Sequence, residues 1–280
     1  MKRIVTVQDI SCLGKCSLTA ALPIISAMGA ECCVIPTAVL STHTAFKNFT
    51  FRDLTEDIPK IVSHWQAEKF AFDAIYTGYL GSEEQIEIVA DLFDALKGEN
   101  TTVIVDPVMG DYGKLYSGFT EKFAEKMAFL CGKADIIVPN LTEASYMLKK
   151  PYIESGYDRS YIEEMLLGLS DLGAKTSVLT GVSFQKDKMG VMGYDSRKGE
   201  FFEYYNDRIY ASYHGTGDVF ASAFTGALVQ GLPVLKALEI AADFTALCIK
   251  KTEDDPEKNT YGVNFESCIP ELINRMKKAL

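Results

Sequence analysis

Short β-branched apolar runs alternate with longer amphipathic stretches from one end of the chain to the other. "RIVTVQD" predicts a first strand, and "SLTAALPIISAMG" the helix behind it, closed by Gly29. "CCVIPTA" is strand-like, "LTEDIPKIVSHWQAEKF" has helical periodicity, and "FDAIYTGYL" returns to strand. A serine N-cap, an acidic first turn and a terminal glycine mark "SEEQIEIVADLFDALKG" as a helix. "TTVIVDPVMG" and "ADIIVPN" are buried strands, the second followed by a helix starting near "LTEASYMLKK". "DRSYIEEMLLGLSDLGA" leads as a helix into the strand "KTSVLTG". "MGVMGYDS" and "GEFFEYYN" then predict an antiparallel hairpin around Ser196-Arg197-Lys198-Gly199. The last ~65 residues are mostly helical in pattern.

Such alternation implies an α/β chain with a mostly parallel central sheet, helices on both faces and a few antiparallel edge strands. No Ser/Pro-rich linker, repeat or low-complexity tract interrupts it, so residues 1–280 are expected to form a single domain. Composition narrows the function classes. With 48% hydrophobic residues the chain can bury a large core. A formal net charge of −10, without any basic run, argues against nucleic acid as a main partner. No stretch reaches the roughly 20 apolar residues of a membrane span, and the N-terminus lacks a signal-peptide pattern. Seven cysteines without a CxxC or zinc spacing fit reduced core thiols in a cytoplasmic protein. In that setting the sequons at Asn48 and Asn140 are expected to stay unmodified.

Ligands of open α/β sheets bind beyond the carboxyl ends of the strands. There the chain places glycines, hydroxyls, carboxylates and an amide: Gln8, Asp9 and Ser11, then "TGYLGS", "DPVMGDYG", "PNLTE", "TGVS" and "HGTGD". Taken singly, most of these have a structural reading. Asp106 and Pro107 suit a strand-to-loop turn, and Asn140 with Glu143 suits a capping box. His43 fits a loop histidine and Tyr79 a strand-end aromatic; His64, His214, Trp65 and the cysteines are read as structural. "GTGD" carries more. Gly215, Thr216 and Gly217 precede a small-residue helix, so their amides can cradle an anion at its N-terminus. Asp218 is then either a dipole-compensating first-turn acid or a base that takes a proton from a hydroxyl beside that anion. No Walker GxxxxGK[ST] or GxGxxG is present.

In their order, "STHTAF" (41–46), "TGYLGS" (77–82), "DPVMGD" (106–111), "PNLTE" (139–143) and "HGTGDVF" (214–220) resemble the ribokinase superfamily, most closely its pyridoxal kinases. The resemblance spans nearly the whole chain and implies a three-layer ribokinase-like fold. It also implies ATP-dependent phosphorylation of the 5′-hydroxymethyl of pyridoxal, pyridoxine or pyridoxamine, in pyridoxal 5′-phosphate salvage. By it, Asp218 would be the base, with Gly215, Thr216 and Gly217 lining the γ-phosphate anion hole. Asn140 and Glu143 would organise Mg²⁺, largely through water, while Asp106 and Asp111 position metal and phosphates. Thr180 would lie near the nucleotide. Asp9, His43, Thr44 and Tyr79 would surround the pyridine ring, and Tyr116 would sit on a covering flap. A monovalent cation such as K⁺ and a homodimer are further implications.

Where many pyridoxal kinases have a serine in a "Q-S-H" stretch, this chain has Gln8-Asp9-Ile10, which bears on vitamer preference. The alternative enzyme is a hydroxymethylpyrimidine kinase of thiamin synthesis; its usual Gly-rich "GGAGIQ"-type stretch is absent, replaced by "LGKCSLTAA". A catalytically silent vitamin-binding protein on the same fold is the third reading. A sugar or nucleoside kinase is disfavoured, since no lid-forming β segment is read after the first strand.

Overall fold

The computed structural model describes residues 1–280. In chain order the first half comprises β1 (Lys2–Leu13), α1 (Ser17–Ala27), β2 (Ala30–Thr42), β3 (Phe51–Asp53), α2 (Ile58–Ala67), β4 (Ala74–Thr77) and α3 (Glu83–Leu96). It continues with β5 (Thr102–Val105), β6 (Gly110–Asp111), β7 (Lys114–Leu115), α4 (Glu121–Gly132), β8 (Ile136–Ile137), α5 (Leu141–Leu148) and α6 (Arg159–Asp171). The remainder is β9 (Thr176–Val182), β10 (Lys188–Asp195), β11 (Glu200–Asp207), α7 (Thr216–Val229), α8 (Val234–Glu253) and α9 (Ile269–Ala279). No helix is long and apolar enough to cross a membrane.

Nine strands form one sheet in the order β11-β10-β9-β8-β5-β4-β1-β2-β3. Its centre, β9 to β2, is parallel; β10, β11 and β3 are antiparallel additions at the edges. Alternation along the strands feeds two cores. Val5, Ile75, Val103 and Leu179 pack with α2 to α6 on one face; Ile4, Tyr76, Ile104 and Val178 pack with α1, α7, α8 and α9 on the other. This is the three-layer arrangement expected from the sequence.

Two features depart from the pattern reading. β1 and β2 run past their expected ends, pairing as far as Leu13 and Thr42, and β3 adds an antiparallel strand beside them. A short β segment therefore does extend this edge, carried by backbone pairing of Ser11 with Leu40 and Leu13 with Thr42 and not by apolar alternation, since Leu13 is exposed. β2 carries one extra residue there, between the Gln8–Pro36 and Ile10–Val39 pairs, opposite Asp9. The helix α4, N-capped by the Thr120 side chain, and the β6–β7 hairpin were also not anticipated.

Buried Gln85, in the first turn of α3, fixes the loop after β4. Its Oε1 accepts from Gly81 N–H at 2.7 Å, and its Nε2 donates to the Thr37 carbonyl at 3.0 Å and to Thr55 Oγ1 at 2.9 Å. Replacing it with an isosteric apolar group leaves those partners buried and unpaired. Gln85→Leu should lower unfolding free energy by about 2–4 kcal/mol, read from urea denaturation midpoints; an unchanged midpoint would show that the loop is held by other contacts.

Candidate active site

α7 begins at the sheet's carboxyl edge with Gly215 as N-cap, at φ 79°. A Cβ on Gly215 would lie 2.0 Å from the Lys15 carbonyl oxygen, so only glycine lets this turn press on the start of α1. The contact brings the N-termini of α1 and α7 to one place. No side chain caps α7, which leaves its first amides available to an anion. Thr216 uses its hydroxyl to brace the turn, donating to the Tyr213 carbonyl at 3.2 Å. Gly217 is open: a Cβ there would come no nearer than 3.9 Å to Asp106 Oδ2.

Asp218 follows in the first turn, buried, and its Oδ1 has no hydrogen-bond partner. Burial pushes its carboxyl up to about 7; the Ser17 amide opposes this and Asp9 adds to it. Ser17 holds a left-handed backbone, φ 48°, at the start of α1.

The loop after β5 is stitched to α5. Glu143 accepts from Met109 N–H at 3.0 Å and from Asn140 N–H at 2.9 Å, and Asn140 Oδ1 accepts from Glu143 N–H at 3.0 Å. Asn140 Nδ2 donates to the Gly110 carbonyl at 2.8 Å. The capping box is thus real, and it clamps the loop rather than only the helix. Strain accompanies it: β-branched Val108 sits at φ 39°. Asp106 is buried beneath this loop, its carboxyl driven upward by burial first and then by Glu143 and Asp218.

The β6–β7 hairpin arches over the site. Tyr112 and Gly113, at φ 50° and 74°, form its turn, and Tyr112 Oη donates to Ser212 Oγ at 2.9 Å. Asp111 accepts from Tyr112 N–H at 2.8 Å. Tyr116 closes the same segment, its phenol raised by burial and then by Glu143, Asp111, Asp106 and Asp218.

A cavity of about 960 Å³ brings together Asp106, Asp111, Tyr116, Asn140, Glu143, Thr180 and residues 215–218. The cavity wall does not include Asp9, His43, Thr44 or Tyr79. Asp9 is buried, accepting from Ser11 Oγ at 3.0 Å, with its carboxyl raised by burial. His43 packs against His214 with the rings tilted by 37° and centroids 4.9 Å apart, so a histidine read as structural meets one implied to be functional. Thr44 is exposed, and Tyr79 packs on Phe119 at 5.6 Å. Sequence reading missed Tyr112 and Arg208. Arg208, just past β11, is the one lysine or arginine in the cavity wall, and no motif marks it. Tyr112 had a signal, since a residue followed by glycine suits a tight hairpin turn.

The sequence profile of the phosphomethylpyrimidine kinases matches residues 15–264. The chain belongs to this family. A Bacteroides thetaiotaomicron protein, described as a candidate phosphomethylpyrimidine kinase, is 39% identical; the match covers 97% of this chain and 93% of that one, with a TM-score of 0.92. A second crystal form of that protein was obtained with pyridoxal. Pyridoxal kinase from Lactobacillus plantarum superposes with a TM-score of 0.89 at 28% identity, covering 98% of this chain and 97% of its own. Pyridoxine kinase of Bacillus subtilis is 32% identical over 189 residues, which are 64% of this chain and 65% of that enzyme. The match thus spans less than two thirds of that curated relative. The ribokinase-superfamily resemblance carried by the strand-end motifs holds.

Within this phosphomethylpyrimidine kinase family member, no three acidic, histidine or cysteine side chains converge into an all-protein metal cage. Both Glu143 oxygens are already held by backbone amides, whereas Asp106 faces the open space beside Gly217. The donor set suits a hard cation held mainly by phosphate oxygens and water, with Asp106 alongside. The raised Asp218 carboxyl has a stability consequence. A carboxyl raised in the folded state favours folding while protonated, and that contribution is lost as pH rises through about 7. Asp218→Asn should therefore raise Tm at pH 8 and raise it much less at pH 5. Scanning calorimetry at both values tests this; a lower Tm at pH 8 would contradict a buried, unpaired carboxylate.

Proposed function

We propose that the chain transfers the γ-phosphoryl group of ATP to the 5′-hydroxymethyl of a vitamin B6 vitamer, giving the 5′-phosphate and ADP. The observation that carries this reading is Asp218, buried and unpaired one residue beyond an uncapped glycine turn. At that point a hydroxyl held by the Asp218 carboxylate lies against a phosphoryl group held by the turn's amides. Asp218, with its carboxyl near neutrality, accepts the hydroxyl proton as the oxygen attacks phosphorus. The amides at 215–217 and the α7 dipole stabilise the charge on the transferring group. Asp106, with Asn140 and Glu143 acting through water, would hold a Mg²⁺ that would neutralise charge on the ATP phosphates. Arg208 supplies the cavity wall's fixed positive charge for the nucleotide. The hairpin tip, through Tyr112 and Ser212, and Tyr116 beside it restrict water.

A B6 vitamer is favoured over a pyrimidine alcohol by the 39%-identical relative crystallised with pyridoxal and by full-length likeness to pyridoxal kinase. The family description keeps hydroxymethylpyrimidine as the second reading. Asp9, His43, Thr44 and Tyr79 are proposed to meet the substrate ring, and a homodimer in the cytoplasm completes the proposal. Need for a monovalent cation such as K⁺ belongs to the same reading.

ADP release measured with Mg²⁺ on the three vitamers and on hydroxymethylpyrimidine tests the assignment. The expected result is a higher kcat/KM on a B6 vitamer, with Asp218→Asn lowering turnover by about 10²–10⁴; a higher value on the pyrimidine would reverse the ranking. Arg208→Ala should raise KM for ATP several-fold and leave KM for the alcohol unchanged, and equal effects on both would remove Arg208 from the nucleotide side.

A further inference from the structure

Behind Asp218 the interface of α7 with the sheet holds polar groups that the proposed reaction does not use. α7 carries Asp218, Ser222 and Thr225 at i, i+4 and i+7, which places all three on the helix face toward the strands. Ser222 and Thr225 are fully buried. Across from them stand Gln8 on β1 and Tyr76 on β4, both 0% exposed. Thr6 is in register with Tyr76, and alternation puts Gln8 on the same sheet face, one step nearer the catalytic turn. Gly78 makes room for it, because a Cβ there would lie 2.9 Å from Gln8 Cδ.

None of these polar ends meets a partner in good hydrogen-bond geometry, although Ser222 and Gln8 approach the Tyr76 hydroxyl. Gln8 Oε1 and Nε2, Tyr76 Oη, Ser222 Oγ, Thr225 Oγ1 and Asp218 Oδ1 are all enclosed and unpaired. A protein interior leaves very few such atoms, and a group of them in one place signals something bound there. Phe220, Phe224 and Ile104 belong to the apolar core on this face, so a charged ligand is unsuited. Burial first, then the Asp106 and Asp218 carboxylates, drive the Tyr76 phenol up, and the neighbouring Ser222 and Gln8 side chains oppose them.

We propose that Gln8, Tyr76 and Ser222 form an enclosed water site behind Asp218, through which Tyr76 acts as a positioning residue for the carboxylate. The chemistry matches: Tyr76 donates, Ser222 donates and accepts, and the Gln8 amide does both, which gives one water three partners. That water donates to Asp218 Oδ1. A donor bond to the ionised form holds the carboxyl lower than burial alone would leave it. It also fixes the carboxylate plane, as a supporting shell does at a catalytic group. The inference rests on Asp218 being the base.

Tyr76→Phe separates the possibilities. A bridged hydroxyl predicts a Tm lower by about 2–4 °C at pH 8 and an acid limb of kcat/KM moved up by about half a pH unit. KM for both substrates should hold, and Ser222→Ala should move the limb the same way. A Tm that rises, as when an unpaired buried hydroxyl is removed, with an unmoved limb, overturns the proposal. In an Asp218→Asn background the Tm loss should fall by about half, because hydrogen bonds to charged groups are the stronger ones; an equal loss in both backgrounds also overturns it. These melting measurements judge the water site without turnover, whereas an active Asp218→Asn enzyme would refute the base assignment alone.

Discussion

The contact between the Gly215 turn and the Lys15–Cys16 backbone is the constraint on which the site depends. A side chain at position 215 would strike the Lys15 carbonyl at 2.0 Å, so two helix N-termini meet only because that position is glycine. Their meeting has two effects. It concentrates amide donors where an anion can sit, and it shuts Asp218 away from solvent. Burial without a cationic partner then keeps the carboxyl near the pH at which a base works, which suits the role proposed for it.

The rest of the molecule supplies geometry around that point. Parallel strands deliver the loops to one edge, and the Glu143–Asn140 clamp sets the path of the loop carrying Asp106. The same clamp keeps Glu143 buried, with one backbone amide on each carboxylate oxygen. Left-handed Val108 and Ser17 flank the site, so backbone strain is concentrated beside Asp106 and Asp218. Burial raises these acidic groups, and their neighbours add to it: Glu143 and Asp218 at Asp106, Asp111 at Glu143, Asp9 at Asp218.

Much of this was legible in the sequence because it rests on local rules. Alternating strand and helix periods gave the parallel sheet, and "GTGD" at a helix start gave the anion turn. Asn140 and Glu143 were legible twice over, as a capping box and as site residues, and the structure shows one arrangement serving as both a cap and a loop clamp. What escaped depends on contacts distant in sequence. His43 meets His214 across the fold, Arg208 reaches the cavity from an edge strand, and Gln8 faces Tyr76 through strand register. The Asp111 to Lys114 hairpin escaped for another reason: two-residue strands carry too little alternation to register as a pattern.

The ionisation of Asp218 itself tests the account most directly. Carboxyl-¹³C NMR titration of aspartate-labelled protein, assigned by the signal lost in Asp218→Asn, reads it without any assay of turnover. The account predicts a titration midpoint close to 7 in the ligand-free protein. A midpoint near 4, the ordinary value for an exposed aspartate, would contradict it.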